Sequence, residues 1–252
     1  MSNNDALLRY VLRLGDSALI LAQRLIEIVA RGPELEEELA NANFSLDYLG
    51  QARMFYTLAG ELEGNGRTED DFAMMRAERE FENLLLVEQV NGHFGDTIVR
   101  AVLFETFYLQ QLAALVECTD SRLAEIAARA HKEVSYHLRY SSQWLVRLGD
   151  GTPESHQRVQ QSLDSHWQFS GELFAEDDTD VVIRDKFNGP NLAAIRKSWR
   201  ADVADIIARA TLEMPEDGWM ASGGRSGQHS EQFGFLIAEM QTLQRSYPGL
   251  EW

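Results

Sequence analysis

The stretch "LAEIAARAHKEVSYHLRYSSQWLVRL", residues 123–148, holds the reading on which the fold turns. Ser121 opens a helix that runs through it and Gly149 closes it, because apolar positions recur every three or four residues and no proline intervenes. At its centre Lys132-Glu133-Val134-Ser135-Tyr136-His137 sets a carboxylate, Glu133, and an imidazole, His137, one turn apart. A pair of that kind inside a long helix has the look of part of an iron site, so the rest of the chain has to be searched for the other ligands.

Upstream of this helix, Ile98 to Cys118 is apolar almost all round, the mark of a helix surrounded on every side. At the N-terminus Leu8, Val11, Leu12, Gly15, Ala18, Leu19, Ala22, Leu25, Ile26 and Val29 share one helical face. Gly32-Pro33 and the acidic run after it start a second long helix that reaches about Gly60. Thr68 and Asp71 imitate a capping box ahead of "FAMMRAEREFENLLLVEQV", residues 72–90, which reads as a third helix. Thr152-Pro153 begins a sixth, residues 177–189 read as irregular with a short extended piece at "VVI", and Gly189-Pro190 reopens a helix to about Leu212. A glycine-bearing loop from Glu213 to His229 reads as flexible, and a last helix runs from Ser230 to about Ser246. Strand signals are nearly absent and helical-solenoid repeats are not visible, so the expectation is one all-α domain over residues 1–252: a four-helix bundle with flanking helices.

Forty acidic against twenty-three basic residues give a formal charge of −17. That charge repels polyanions and offers no phosphate-neutralising surface, which excludes nucleic acid as a partner; it suits a basic protein partner instead. A single cysteine, Cys118, rules out an internal disulfide framework and fits a reducing, cytoplasmic setting. Charges break every apolar run before it reaches membrane-span length, so neither an export signal nor a membrane anchor is expected.

A di-iron carboxylate bundle needs a Glu or Asp from each of two helices and a Glu-x-x-His pair from each of the other two, because residues i and i+3 share a face and can reach one ion. The six histidines, His93, His131, His137, His156, His166 and His229, have Val90, Ala128, Val134, Pro153, Leu163 and Ser226 three positions earlier, and none of these is acidic. Glu133 with His137 at i+4 is at best half of one half-site.

The segments "LRLGDSALILAQRL", "ANFSLDYLGQAR", "KEVSYHLRYSSQWLVRLGDGTPESH" and "HSEQFGFLIAEMQTLQRSYPGLEW" resemble, along essentially the whole chain, the non-catalytic, ferritin-like subunits of bacterial phenylacetyl-CoA epoxidases. The resemblance implies a ferritin-like four-helix bundle with flanking helices. It also implies a sister subunit of similar fold that holds the di-iron centre and the acyl-CoA, further subunits including a reductase, and a scaffold role for this chain, with no cofactor of its own. Carried over to this sequence, the ferritin-like ligand pattern places Asp16 at the first carboxylate, Asp47 at the first Glu of a Glu-x-x-His, Glu105 at the third-helix carboxylate and His137 at the second histidine. Gly50 then stands where the first histidine belongs, and Val134 where the glutamate paired with His137 belongs. The five candidates Asp16, Asp47, Glu105, Glu133 and His137 therefore read as a vestigial site, with catalytic, cofactor and metal-binding residues expected to be none.

Each candidate also has a plainer reading. Glu105 sits among Val102, Leu103, Phe104, Phe107, Tyr108 and Leu109, and a buried carboxylate has to be liganded, hydrogen-bonded to a histidine or arginine, or neutral. Glu133, Tyr136 and His137 read as a carboxylate–histidine pair fixing the core; His131, His156, His166 and His229 read as surface or capping residues; Cys118 lacks a base partner. "SGGRSGQH" follows no strand and carries no Gly-Lys-Ser/Thr, so it is not a phosphate loop, although Arg225 is a candidate contact to a partner or its CoA. Trp252 reads as a docking anchor. The competing functions are a di-iron or di-manganese oxygenase with an irregular ligand set, and a helical adaptor unrelated to oxygenases; a homodimer is compatible with either.

Overall fold

The computed structural model describes residues 2–250, so the expectation placed on Trp252 lies outside the described residues. In chain order the helices are α1 (Asn3–Ile26), α2 (Leu35–Glu63), the one-turn α3 (Leu85–Glu88), α4 (Phe94–Val116), α5 (Ser121–Gly149), α6 (Pro153–Trp167), α7 (Asp178–Phe187), α8 (Leu192–Arg209) and α9 (Glu231–Ser246). No strand occurs among the described residues. Ser2 caps α1, its hydroxyl accepting from the Asp5 N–H at 3.1 Å while the Asp5 carboxylate accepts from the Ser2 N–H at 3.0 Å.

Side-chain pairings give each long helix its direction. Tyr48 meets Glu105 and Gln51 meets Tyr108, both across a separation of 57 positions, so α2 and α4 run parallel. Asp47 meets His137 across 90 positions and Gln51 meets Glu133 across 82, so α2 and α5 run antiparallel. Ser45 reaches the Ala22 carbonyl and Tyr56 reaches Asp16, which makes α1 and α2 an antiparallel pair. The result is two hairpins, α1/α2 and α4/α5, joined by a crossover that must travel the length of the bundle, as in ferritin-like folds.

That crossover, residues 64–93, is where the expected third helix fails. Residues 72–90 form a π-helical turn (Asp71–Met75), a 3-10 turn (Glu78–Glu80) and α3, with extended chain between them. An extended residue advances about 3.3 Å against 1.5 Å in a helix, so the irregular path spans the bundle with few residues. Core side chains hold the backbone that a helix would have used internally: the Glu82 N–H donates to Asp16 at 2.8 Å, the Leu84 N–H to Ser17 Oγ at 3.3 Å, and the Leu85 N–H to Glu172 at 2.7 Å. Leu84, Leu85, Leu86 and Val87 are all buried, a consecutive burial that no one-sided helix provides.

Residues 178–187 correct the irregular reading of 177–189. They form α7, capped by Asp177, whose carboxylate accepts from the Thr179 N–H at 2.9 Å and the Asp180 N–H at 3.2 Å, and closed by Asn188 in the left-handed region. The loop 213–229 is also more tightly held than its glycines imply. Glu172 accepts from the Gly223 N–H at 2.8 Å, and Arg225 donates to the Ala175 carbonyl at 2.6 Å and to Asp180 at 2.5 Å. A Cβ on Gly224 would lie 2.4 Å from the Asn83 carbonyl oxygen, so only glycine lets this loop lie against the crossover.

The core is continuous from Leu7 in α1 to Ile237 in α9. α8 closes one flank through Trp199, whose indole N–H donates to the Leu103 carbonyl at 2.9 Å and whose ring stacks on Trp167 at 5.5 Å. α4 is the one described helix long and apolar enough to match a membrane span, and most of that window is buried among the other helices.

Candidate functional site

The five residues singled out from the sequence fall into two separate places. Asp16, fully buried on α1, accepts from Tyr56 Oη at 2.6 Å, from the Glu82 N–H at 2.8 Å, and from the Arg76 guanidinium, whose Nη1 lies at 3.2 Å. Arg76 is itself buried, donates to the Phe72 carbonyl at 2.7 Å and lies over the Phe81 ring at 4.2 Å. Desolvation, and after it the neighbouring Asp16 carboxylate, keep the Tyr56 hydroxyl protonated to well above its ordinary range. Asp16 is thus neutralised by a guanidinium and committed to pinning the crossover.

The other four meet between α2, α4 and α5. Glu105 accepts from Tyr48 Oη at 3.2 Å and from Ser141 Oγ at 2.6 Å. These partners replace the histidine or arginine expected from the sequence, and burial pushes the Glu105 carboxyl up to about 8, so it is largely protonated at neutral pH. His137 is also fully buried; its Nε2 lies 2.9 Å from Asp47 and its Nδ1 has no partner. Burial holds the imidazole below its ordinary value despite Asp47, so the ring is neutral, with the Nε2 proton donated to Asp47.

Glu133 does not pair with His137. It accepts from Gln51 Nε2 at 2.9 Å and from Arg129 at 3.2 Å, while Gln51 Oε1 accepts from Tyr108 Oη at 3.2 Å. Asp47 likewise does not occupy the first Glu position. The inward i and i+3 residues of α2 are Tyr48 and Gln51, both fully buried, whereas Gly50 faces open space. The Tyr48 ring stands 5.0 Å from the His137 ring with its hydroxyl on Glu105, so an aromatic side chain fills the room between the two residues that a metal would need to join.

The residues present do not fit a dinuclear iron centre. Such a centre draws on about six carboxylate and imidazole ligands, whereas this cluster offers the neutral acid of Glu105, the His137 imidazole, and the Asp47 and Glu133 carboxylates already engaged by His137, Gln51 and Arg129, with a phenol and a carboxamide at the two inward positions of α2. Among the described residues no group of three His, Cys, Asp or Glu side chains is placed to hold an ion.

A family model described as "Phenylacetic acid catabolic protein" matches residues 1–252. The chain belongs to the phenylacetic acid catabolic protein family. It is 46% identical over 248 residues, 98% of its own length and 100% of the relative's, to an Escherichia coli (strain K12) protein named as a subunit of 1,2-phenylacetyl-CoA epoxidase.

In this chain two of the histidines read as surface or capping residues are instead built in. His229 has a fully enclosed side chain, with Nδ1 2.8 Å from Glu88 and Nε2 2.9 Å from the Phe81 carbonyl. With an acceptor on each nitrogen the geometry suits an imidazolium: burial alone would lower its pKa, but the hydrogen bond and charge of Glu88, with the Phe81 carbonyl and Glu78, raise it overall. His166 is buried with Nδ1 2.8 Å from the Ser162 carbonyl, while His156 does act as a cap, 2.7 Å from the Gly149 carbonyl. Arg225 is engaged by Asp180 and the Ala175 carbonyl, which holds its guanidinium against α7.

Proposed function

We propose that this chain is a non-catalytic structural subunit of a cytoplasmic phenylacetyl-CoA epoxidase assembly, packing against a sister subunit that carries the di-iron centre and the acyl-CoA. The observation that carries the reading is the pair Tyr48 and Gln51 at the inward i, i+3 positions of α2, where a metal-binding bundle has glutamate and histidine. The relative named as a subunit of 1,2-phenylacetyl-CoA epoxidase supports the place in an assembly. In this reading the chain's contribution is mechanical. Its own network, Tyr48–Glu105–Ser141 and Asp47–His137, locks three helices together, and a rigid bundle can hold the iron-bearing helices of its partner in register.

Reconstitution tests this. The sister subunit with this chain present is expected to melt at higher temperature and to epoxidise phenylacetyl-CoA faster than alone; a sister equally stable and active without it would overturn the reading.

A second reading, an oxygenase with an irregular ligand set, draws on one observation: His137 keeps its Nε2 on a carboxylate and its Nδ1 bare, the posture of a metal-bound imidazole. The neutral Glu105 and the Tyr48 ring beside it argue against that reading.

A further inference from the structure

α2 has two apolar faces, and only one of them is used by the bundle. Phe44, Tyr48, Phe55 and Ala59 point into the core. On the opposite side Leu35, Leu39, Leu46 and Leu49 stand 65%, 56%, 63% and 43% exposed. With Ala42 and Arg53 between and after them they follow the four-three spacing of a helix-packing stripe. The stripe is flanked by two grooves, of about 570 Å³ towards the crossover and about 540 Å³ towards α5, and both are walled by Gly50 and Arg53. A Cβ on Gly50 would touch nothing within 4 Å, so the helix backbone itself is open to close approach there. Exposed leucines in a row are what monomeric proteins avoid and interfaces use.

Charge decides which occupant fits. Of the six acids on α2, Asp47, Glu61 and Glu63 are met by His137, Arg122 and Arg67, which leaves Glu36, Glu37 and Glu38, beside Leu35 and Leu39, as its unpaired charge among the described residues. A second copy would bring two such acidic helix ends together within chains of net charge −17. Like charges so placed oppose association, and a cationic partner is drawn to the same field. We infer that the outer stripe Leu35/Leu39/Leu46/Leu49 of α2 is the docking face for a helix of the sister subunit, a helix with its own apolar stripe and basic flanks. The inference rests on the reading of the chain as an assembly subunit and adds the face by which it binds.

The test pairs the double variant Leu46→Glu/Leu49→Glu with the control Phe235→Glu, which alters an exposed apolar residue on α9. All four positions of the stripe are solvent-facing, so the variant is expected to fold with an unchanged melting curve. Affinity for the purified di-iron sister, measured by titration, is expected to fall about 100-fold or more in the double variant, with little change in the control. Raising salt is expected to slow wild-type association. If the wild-type chain does not bind the sister at all, the assembly reading fails; if it binds and the double variant binds equally well, only the docking face is overturned. A stable homodimer of the wild-type chain that the double variant abolishes would assign the stripe to a second copy and overturn the inference as well.

Discussion

Glu105 shows how far surroundings can move the chemistry of one side chain. Its carboxyl ionises near 4.5 in the unfolded chain and near 8 in the native one, so between those values the folded state holds an extra proton and stability falls as pH rises; above about 8 the loss is complete. Glu105→Gln, an isostere of the neutral acid, is expected to flatten that dependence and to exceed the wild type at pH 8.5 by on the order of a few kcal/mol. Urea titrations from pH 5 to 8.5 check it, and identical slopes for both proteins would contradict it. Arg76→Met at the other cluster acts in the opposite way. It leaves Asp16 buried without its countercharge, so a loss of roughly 3–5 kcal/mol is expected by the same titration at pH 7. Asp16 and Glu105 are both legible from the sequence as buried carboxylates. Their partners are not, because Arg76, Ser141 and Tyr48 are remote in sequence and no periodicity reports a hydrogen bond.

On α2 the difference between sequence and structure is a register of one residue. The candidate pair Asp47-x-x-Gly50 follows from likeness to a ligand pattern, yet Phe44, Tyr48, Gln51 and Phe55 recur at four-three-four spacing, which turns Tyr48 and Gln51 inward. That register makes a constructive prediction. Tyr48→Glu/Gln51→His/Val134→Glu supplies a Glu-x-x-His pair on α2 and another on α5 beside Glu105, and the triple variant is expected to retain iron that the wild type does not. Metal analysis after anaerobic loading and desalting reads the outcome; a triple variant that folds yet stays iron-free would show that the backbone no longer has room for the ions. The long helices are legible because their apolar periodicity is uninterrupted. The crossover is not, since its register is set by Asp16, Ser17 and Glu172 from elsewhere in the fold, and α7 escapes a reading by periodicity because its signal is the cap, Asp177 with Asp180.

Across the whole molecule the buried ionisable groups act in two directions: His137 and His166, held below 6.5 by burial, gain stability as pH rises to 6.5, whereas His229 and Glu105 lose it. The His229 imidazolium, raised by Glu88, contributes stability that is fully present below its ordinary 6.5 and is lost as pH rises through its higher native value. Glu105 loses stability over an overlapping window. Above pH 6.5, where His137 and His166 are neutral in both states, the melting temperature is therefore expected to fall up to pH 8.5, and His229→Gln is expected to remove part of that slope; differential scanning calorimetry at several pH values between 6.5 and 8.5 would expose a flat or rising profile as a contradiction. The net charge of −17 adds self-repulsion, which salt relieves. Fold class, the missing Glu-x-x-His pairs and the family are all readable in the linear sequence, whereas the two-sided α2 helix needs the packed structure to separate its core stripe from its free one.

The central claim, that this bundle has replaced a metal site by a hydrogen-bonded core, is most directly tested by the iron content of the isolated chain after anaerobic Fe(II) loading and desalting. The account predicts a value near zero. A value of about two per chain, the complement of an intact carboxylate bundle, would contradict it and make this chain an oxygenase in its own right.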